Sequence, residues 1–275
     1  MSPRLGQVTI HDRGAVRIHD YQAPRDGLMV HSLIVEGPTR LVLFDAQFLL
    51  DYAAELADYI DTLGKTLDRI IISHGHPDHW SGLAVISTRF PGVPIAALQD
   101  VRDYIEANGQ AIMTARQAVF GARVAAAPVP PTVTIESGAI EIDAVRYVFE
   151  AHEDGESQHQ LVATLPDHDM LFAFDLVFPA DVHAFTVAAY FDHWSAILNE
   201  LLVRPFETVL VGHAGPARRD DIKATIAYLE VAREVRASTS QPEEFAARMK
   251  QVFPERLESG WVDFASLMLF GVIDP

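Results

Sequence analysis

The hexapeptide His74-Gly75-His76-Pro77-Asp78-His79 follows the apolar run Arg69-Ile70-Ile71-Ile72-Ser73 and precedes Ser81-Gly82-Leu83. The run reads as a buried strand and Ser81-Gly82-Leu83 as a helix start, which makes the hexapeptide a loop on a strand end. His74, His76, Asp78 and His79 are all metal-ligand types. The plain alternative is a chance cluster of hydrogen-bonded core histidines, but four ligand types in one short loop outweigh it. Neutral imidazoles are the commonest protein ligands for zinc, and a carboxylate adds a hard, charge-neutralising oxygen. In an extended loop, residues two apart point the same way. His74 and His76 can therefore share one ion while Asp78 and His79 turn toward a second, so two cations are expected.

Two cations need more ligands than one loop holds, and other strand ends supply them. Tyr147-Val148-Phe149-Glu150-Ala151-His152 reads as a strand ending in His. Met170-Leu171-Phe172-Ala173-Phe174-Asp175 reads as a strand ending in Asp, and Thr208-Val209-Leu210-Val211-Gly212-His213 as one ending in His, with Gly215-Pro216 as the turn that follows. A single strand-terminal His or Asp is ordinarily a solvated loop residue. Three of them, each after a β-rich run and all downstream of the first motif, form a pattern.

In this order the residues resemble the metallo-β-lactamase superfamily of binuclear metallohydrolases, over roughly residues 28 to 217. The resemblance implies a four-layer αββα sandwich in a single domain, with C-terminal helices from about 218 to 275. It implies that His74, His76 and His152 hold one metal, that Asp78, His79 and His213 hold the other, and that Asp175 bridges them. Asp45, at the end of Leu41-Val42-Leu43-Phe44, matches a strand-end acid that orients the metal loop. Two places depart from the usual pattern. Ala151-His152-Glu153-Asp154-Gly155 stands where Gly-His-Thr-x-Gly is common, and Phe174 precedes Asp175 where Gly is common. Both changes alter the surroundings of the ligands and the pocket wall.

The implied cofactor is two divalent ions, with zinc expected and iron or manganese the alternatives. Such ions lower the pKa of a shared water and polarise a carbonyl, so the expected activity is hydrolysis of an ester-like bond in a small molecule by a binuclear-site hydroxide. Asp78 and Asp175 are the anionic ligands that position the nucleophile, and Tyr190 is a candidate donor to a developing oxyanion. In the superfamily, true β-lactamases usually place Cys or Ser where this chain has Asp175. Lactonases, thioesterases and phosphodiesterases carry the Asp, so a lactone or thioester is favoured over a penicillin. Two alternatives stay open: an iron-dependent dioxygenase or other redox enzyme on the same ligands, and a non-catalytic ligand sensor.

Composition fits this reading. The chain has 275 residues, 49% of them hydrophobic, and can bury a large core. Its formal charge of -17 argues against a nucleic-acid partner, which requires clustered Lys and Arg. No cysteine is present, which removes disulfides, thiolate ligands and cysteine nucleophiles. No signal-like or membrane-spanning run stands out, so cytoplasmic residence and no membrane partner are expected.

Beyond the ligands, a helix is expected from about Tyr52 to Leu63, stopped by Gly64, and another from about Gln99 through Ala122. Asp220 to Val235 and the segment from Ser240, with Pro242 in its first turn, read as helices. Phe253, Trp261, Phe264, Leu267, Leu269 and Phe270 make an apolar tail that is expected to close the core, the alternatives being a homodimer contact or a pocket lid. Lys223, Arg233 and Arg236 could hold the carboxylates of a glutathione thioester, but such charges are ordinary on a surface helix. His183, His193 and His31 read as structural, His11, His19, His159 and His168 as surface or turn residues, and Trp80 as packing against the sheet.

Overall fold

The computed structural model describes residues 6–273. In chain order the elements are β1 (Gln7–Asp12), β2 (Arg17–Gln22), β3 (His31–Glu36), β4 (Arg40–Phe44), α1 (Leu50–Thr62), β5 (Thr66–Ile71), α2 (Pro77–Trp80), α3 (Leu83–Arg89), β6 (Ile95–Ala97), α4 (Gln99–Phe120), β7 (Val133–Thr134), β8 (Gly138–Ile142), β9 (Val145–Glu153), β10 (His159–Leu165), β11 (Met170–Phe174), α5 (Phe191–Leu202), β12 (Thr208–Val211), α6 (Arg219–Ala237), α7 (Pro242–Val252) and α8 (Ser259–Leu269). Strands β1 to β7 make one sheet in sequence order, and β8 to β12 a second in the order β12-β11-β10-β9-β8. Two compact units result: one runs up to Ala151 and adds His159–His168, and the other takes His152–Gln158 and everything from Asp169.

In the first unit the sheet is antiparallel from β1 to β4 and parallel from β4 to β7. Each parallel step needs a crossover, and helices supply all three: α1 after β4, α2 and α3 after β5, and α4 after β6. Side-chain alternation sorts the faces. His19 and Tyr21 of β2 face α1, where the His19 ring lies 2.7 Å from the Tyr59 hydroxyl and Tyr21 donates to Glu55 at 2.9 Å. On the opposite face Phe44 packs on Tyr147 and Phe149 of β9, at ring separations of 6.3 and 6.4 Å. Helix, sheet and second-sheet hairpin are thus layered. Each of these fully buried aromatics contributes roughly 1.5–3 kcal/mol by leaving water.

Strands β1 and β2 were not expected, because their sequence mixes His, Asp and Arg with apolar residues. The buried polar groups among them are satisfied internally instead of by solvent. His19, read from sequence as a surface residue, is buried, and its Nε2 lies 2.8 Å from Glu36, which Lys65 also pairs at 2.8 Å. On the other face His31 Nδ1 meets Asp20 at 2.5 Å, with His11 nearby at 3.8 Å. Burial pushes the Asp20 carboxyl up, but His31 and His11 outweigh it and hold it at about 2.

In the second unit β11 and β12 run parallel and α5 packs along α6. The Trp194 indole donates to the Leu176 carbonyl at 2.9 Å, and the Thr225 hydroxyl bonds the backbone of Phe178. The segment after β11 is sewn to the C-terminal helices. Leu257 N–H donates to Asp181 O at 2.7 Å, His183 N–H to Leu257 O at 3.1 Å, and Arg256 to Val182 O at 2.6 Å. Phe253 stacks on Tyr228 at 4.8 Å and Phe270 meets Phe245 edge-on at 6.0 Å, so these aromatics of the apolar tail pack within the unit. Among the described residues, no helix is long and apolar enough to cross a membrane.

Candidate metal centre

The first unit presents four donors from one loop. β5 ends at Ile71, His76 caps the single-turn helix α2, and Pro77 at its first position fixes the backbone where no N–H is needed. His74 Nε2 stands 3.1 Å from His76 Nδ1, and His79 Nε2 stands 3.7 Å from Asp78. His74 and His79 are fully buried. His74 thus lies beside both His76 and His79, with ring separations of 4.7 and 4.2 Å, and α2 rather than an extended chain turns Asp78 and His79.

Asp45 holds this loop from below. Its carboxylate accepts the Ser73 N–H and hydroxyl at 2.8 Å each, and lies 2.9 Å from His79 Nδ1. A carboxylate only accepts, so His79 Nδ1 carries the proton and Nε2 keeps its lone pair for a metal. The Ser73 hydroxyl, having donated to Asp45, accepts from His74 Nδ1 at 2.9 Å, which leaves His74 Nε2 in the same state. Asp45 and Gln47 both have positive φ, 59° and 73°, and the turn between them gives the Ala46 N–H to His79 O at 2.7 Å. Gly82 is obligatory beside it, since a Cβ there would lie 1.9 Å from the Ala46 carbonyl.

The second unit presents Asp175, His213 and a residue that the sequence reading missed. Asp175, at the end of β11 and 2% exposed, lies 3.2 Å from His213 Nε2. The His213 ring stacks on Phe178 at 6.2 Å and meets Trp261 edge-on at 5.6 Å, so the C-terminal extension packs on this imidazole. The missed residue is Glu156, 1% exposed, whose carboxylate comes within 4.8 Å of that of Asp175. Asp175 is therefore near both Glu156 and His213. His152 is half-buried near the end of β9 and belongs to no close group of three or more donors among the described residues. A glutamate in a turn ordinarily reads as a solvated residue, and only the run Gly155-Glu156-Ser157, buried throughout, sets it apart.

The donor chemistry fits divalent cations: imidazoles with their outer nitrogens held by hydrogen bonds, and buried carboxylates that a cation would neutralise. The other residues singled out by sequence lie in ordinary packing. Tyr190 caps α5, half-buried, and its hydroxyl makes no hydrogen bond among the described residues. His183 bonds the Tyr228 hydroxyl at 3.1 Å, and His193 is exposed and pairs with Asp154 at 3.2 Å. Trp80 is buried and donates to Gly75 O at 2.8 Å. Lys223 pairs with Asp220, Arg233 with Asp192, and Arg236 lies 4.0 Å over the Phe270 ring, so all three cations have local partners.

The chain's relatives agree with this reading of the fold. The sequence model described as the metallo-beta-lactamase superfamily matches residues 25–213. A metallo-beta-lactamase from Pontibacter korlensis superposes with a TM-score of 0.63 at 20% identity, covering 82% of this chain and 99% of that one. The mono-zinc form of the metallo-beta-lactamase FIM-1 from Pseudomonas aeruginosa gives 0.63 at 18% identity, covering 85% and 99%. No curated protein matches the chain. Likeness at these identities shows the architecture, the four-layer αββα sandwich that the two sheets and flanking helices build. With more than half of its length matched by the family model, the chain belongs to the metallo-β-lactamase superfamily.

Proposed function

We propose that this chain is a metal-dependent hydrolase that cleaves an ester-like bond, a lactone or thioester, in a small molecule. The observation that carries the reading is the pair of hydrogen bonds from Asp45 and Ser73 that keeps His79 and His74 proton-free at Nε2. Hydrogen bonding of this kind behind buried imidazoles is the usual support of a metal site. We assign these donors to two divalent ions, zinc by default, as the superfamily's pattern implies. Bound there, the ions supply Lewis acidity toward a carbonyl and a water acidic enough to attack near neutral pH. Asp78 and Asp175 contribute the negative charge that balances the cations and orients the attacking water. The histidines coordinate and do not move protons.

Asp175 favours lactones and thioesters over penicillins, since β-lactamases of the family usually place Cys or Ser there. Local pairing of Lys223, Arg233 and Arg236 removes the argument for a glutathione carrier. The formal charge of -17 supports a small-molecule substrate over nucleic acid. The test is elemental analysis of protein purified without added metal, followed by a screen against lactones, thioesters, phosphodiesters and β-lactams. About two zincs per chain with lactone or thioester turnover, lost in His76→Ala, is the expected result. One iron per chain with oxygen uptake would replace hydrolysis with dioxygenation, and metal binding without turnover would leave a sensor.

A further inference from the structure

Helix α8 touches a metal-ligand imidazole through one aromatic side chain. Its buried face is built from Val262, Ala265, Ser266 and Leu269, at helical spacing. Trp261 stands at the edge of that face and is only half-buried, so core burial alone does not account for its placing. Its ring partners lie off the helix. The Trp261 and His213 ring centres are 5.6 Å apart with their planes at 71°, and Phe178 is 6.4 Å from the same indole at 72°. Phe178 and His213 stack at 6.2 Å with only 8° between their planes. The imidazole is therefore bracketed by one parallel and one perpendicular ring, at spacings where aromatic pairs attract.

Both brackets are anchored by the same stretch of backbone. Phe178 follows Asp175 by three residues, and its N–H and carbonyl both bond the Thr225 hydroxyl, at 3.2 and 3.1 Å. Its ring meets Trp194 at 6.5 Å. Three residues further on, Asp181 O accepts the Leu257 N–H, and Leu257 O accepts the His183 N–H. Glu258 then takes a left-handed backbone, φ 57°, which turns the chain into α8, and Trp261 N–H donates to Glu258 O at 2.8 Å. His74 and His79 are oriented by hydrogen bonds from Ser73 and Asp45, and His213 adds a different device, two rings. We propose that Trp261 is a positioning residue for His213, so that α8, beyond the residues 25–213 that the family model matches, is a working part of the metal site. The inference rests on the metal-dependent reading above. A ligand imidazole needs its ring orientation fixed by its surroundings. A cation on the ring also draws electron density from it, and an electron-poor ring interacts more favourably with neighbouring aromatics.

The experiment compares wild type, Trp261→Phe, Trp261→Leu and Phe264→Leu, each stripped of metal and titrated with cobalt, whose visible absorption reports ligand geometry. Elemental analysis counts the bound ions. Phenylalanine keeps a ring at position 261, whereas leucine keeps apolar bulk without one. Phe264 is the control, since it lies on the same helix but pairs with Phe185 at 5.9 Å. Trp261→Leu should bind one equivalent about 10- to 100-fold more weakly, the range for loss of groups that orient metal ligands, and should shift its absorption. Trp261→Phe should stay within about threefold of wild type, because an aromatic neighbour remains. Phe264→Leu should keep the wild-type affinity and spectrum, whatever it does to the melting temperature. Wild-type binding and absorption in Trp261→Leu, a loss in Trp261→Phe equal to that in Trp261→Leu, or the same loss in Phe264→Leu overturns the positioning role while leaving the hydrolase reading intact. A wild type that takes up neither cobalt nor zinc overturns both.

Discussion

Asp45 and His79 are joined at 2.9 Å, carboxylate to Nδ1, and the same carboxylate accepts two hydrogen bonds from Ser73 at 2.8 Å. Three bonds on one buried acid make it the hinge between β4 and the donor loop. In Asp45→Asn the new amide N–H₂ must face a group that is itself a donor. One buried polar group is then left without a partner, at a cost of about 1–3 kcal/mol. His79 also loses the partner that selects its tautomer. Metal affinity should fall about 10- to 100-fold, as for loss of other supporting hydrogen bonds around metal ligands. Competition with a chelator measures it, and unchanged affinity would refute the role given to Asp45.

Gly82→Ala should be the most damaging single methyl addition near the site. The new Cβ would lie 1.9 Å from Ala46 O, and the backbone on both sides is pinned by Ala46 N–H to His79 O and Gly82 N–H to Gln47 O. Neither segment can yield without breaking the loop, so the loss should reach or exceed the roughly 3 kcal/mol upper end of overpacking costs. Gly64→Ala is the control, because that glycine has φ +66° and open space around it. It should lose only about 1 kcal/mol, from the left-handed backbone alone. Equal denaturation midpoints for the two variants would contradict this account.

Much of this was legible because ligand types at strand ends leave a local signature. His74, His76, Asp78 and His79 lie in one loop and Asp175 and His213 each close a β-rich run, so their positions followed from pattern. Two features were hidden. Strands β1 and β2 carry His11, His19, Asp20 and Arg17 in a polar-looking sequence, and only tertiary pairing with Glu36, Tyr59 and His31 makes His19 and Asp20 internal. Glu156 was hidden for a different reason. The family pattern directs attention to His152, whereas the fold-back at Asp154 buries the residue four positions later. Neither effect is encoded in local composition.

Phe174, which precedes Asp175, occupies a conformation that suits glycine. Its φ is 47°, the β11–β12 register shifts between Phe172 and Phe174, and its ring is 1% exposed. The chain keeps the aromatic's burial at the cost of backbone strain, which explains how Phe stands where the family commonly has Gly. Truncation should therefore show an unusual order. Phe174→Ala should lose about 3–5 kcal/mol, as buried aromatics do. Phe174→Gly should be about 1 kcal/mol less damaging than Phe174→Ala, although glycine is ordinarily the worse residue in a strand. Urea denaturation of both variants decides it, and a Gly variant weaker than the Ala variant would argue against strain.

His183 gives the second unit a built-in acid sensitivity. Burial, with Arg256 and Lys250 adding to it, lowers its pKa to about 4, below the ordinary value of 6.5. The folded imidazole is therefore neutral across the neutral range and bonds the Tyr228 hydroxyl. In the unfolded chain it takes up a proton near pH 6.5, so between pH 6.5 and 4 the unfolded state binds more protons and stability falls as the pH falls. The contribution is complete above pH 6.5 and exhausted below about pH 4, on the order of 3 kcal/mol in all. His183→Gln keeps a partner for Tyr228 but cannot titrate. Metal-free wild type should lose melting temperature through this window while the variant changes less, and parallel curves for the two proteins would show that His183 carries no proton linkage.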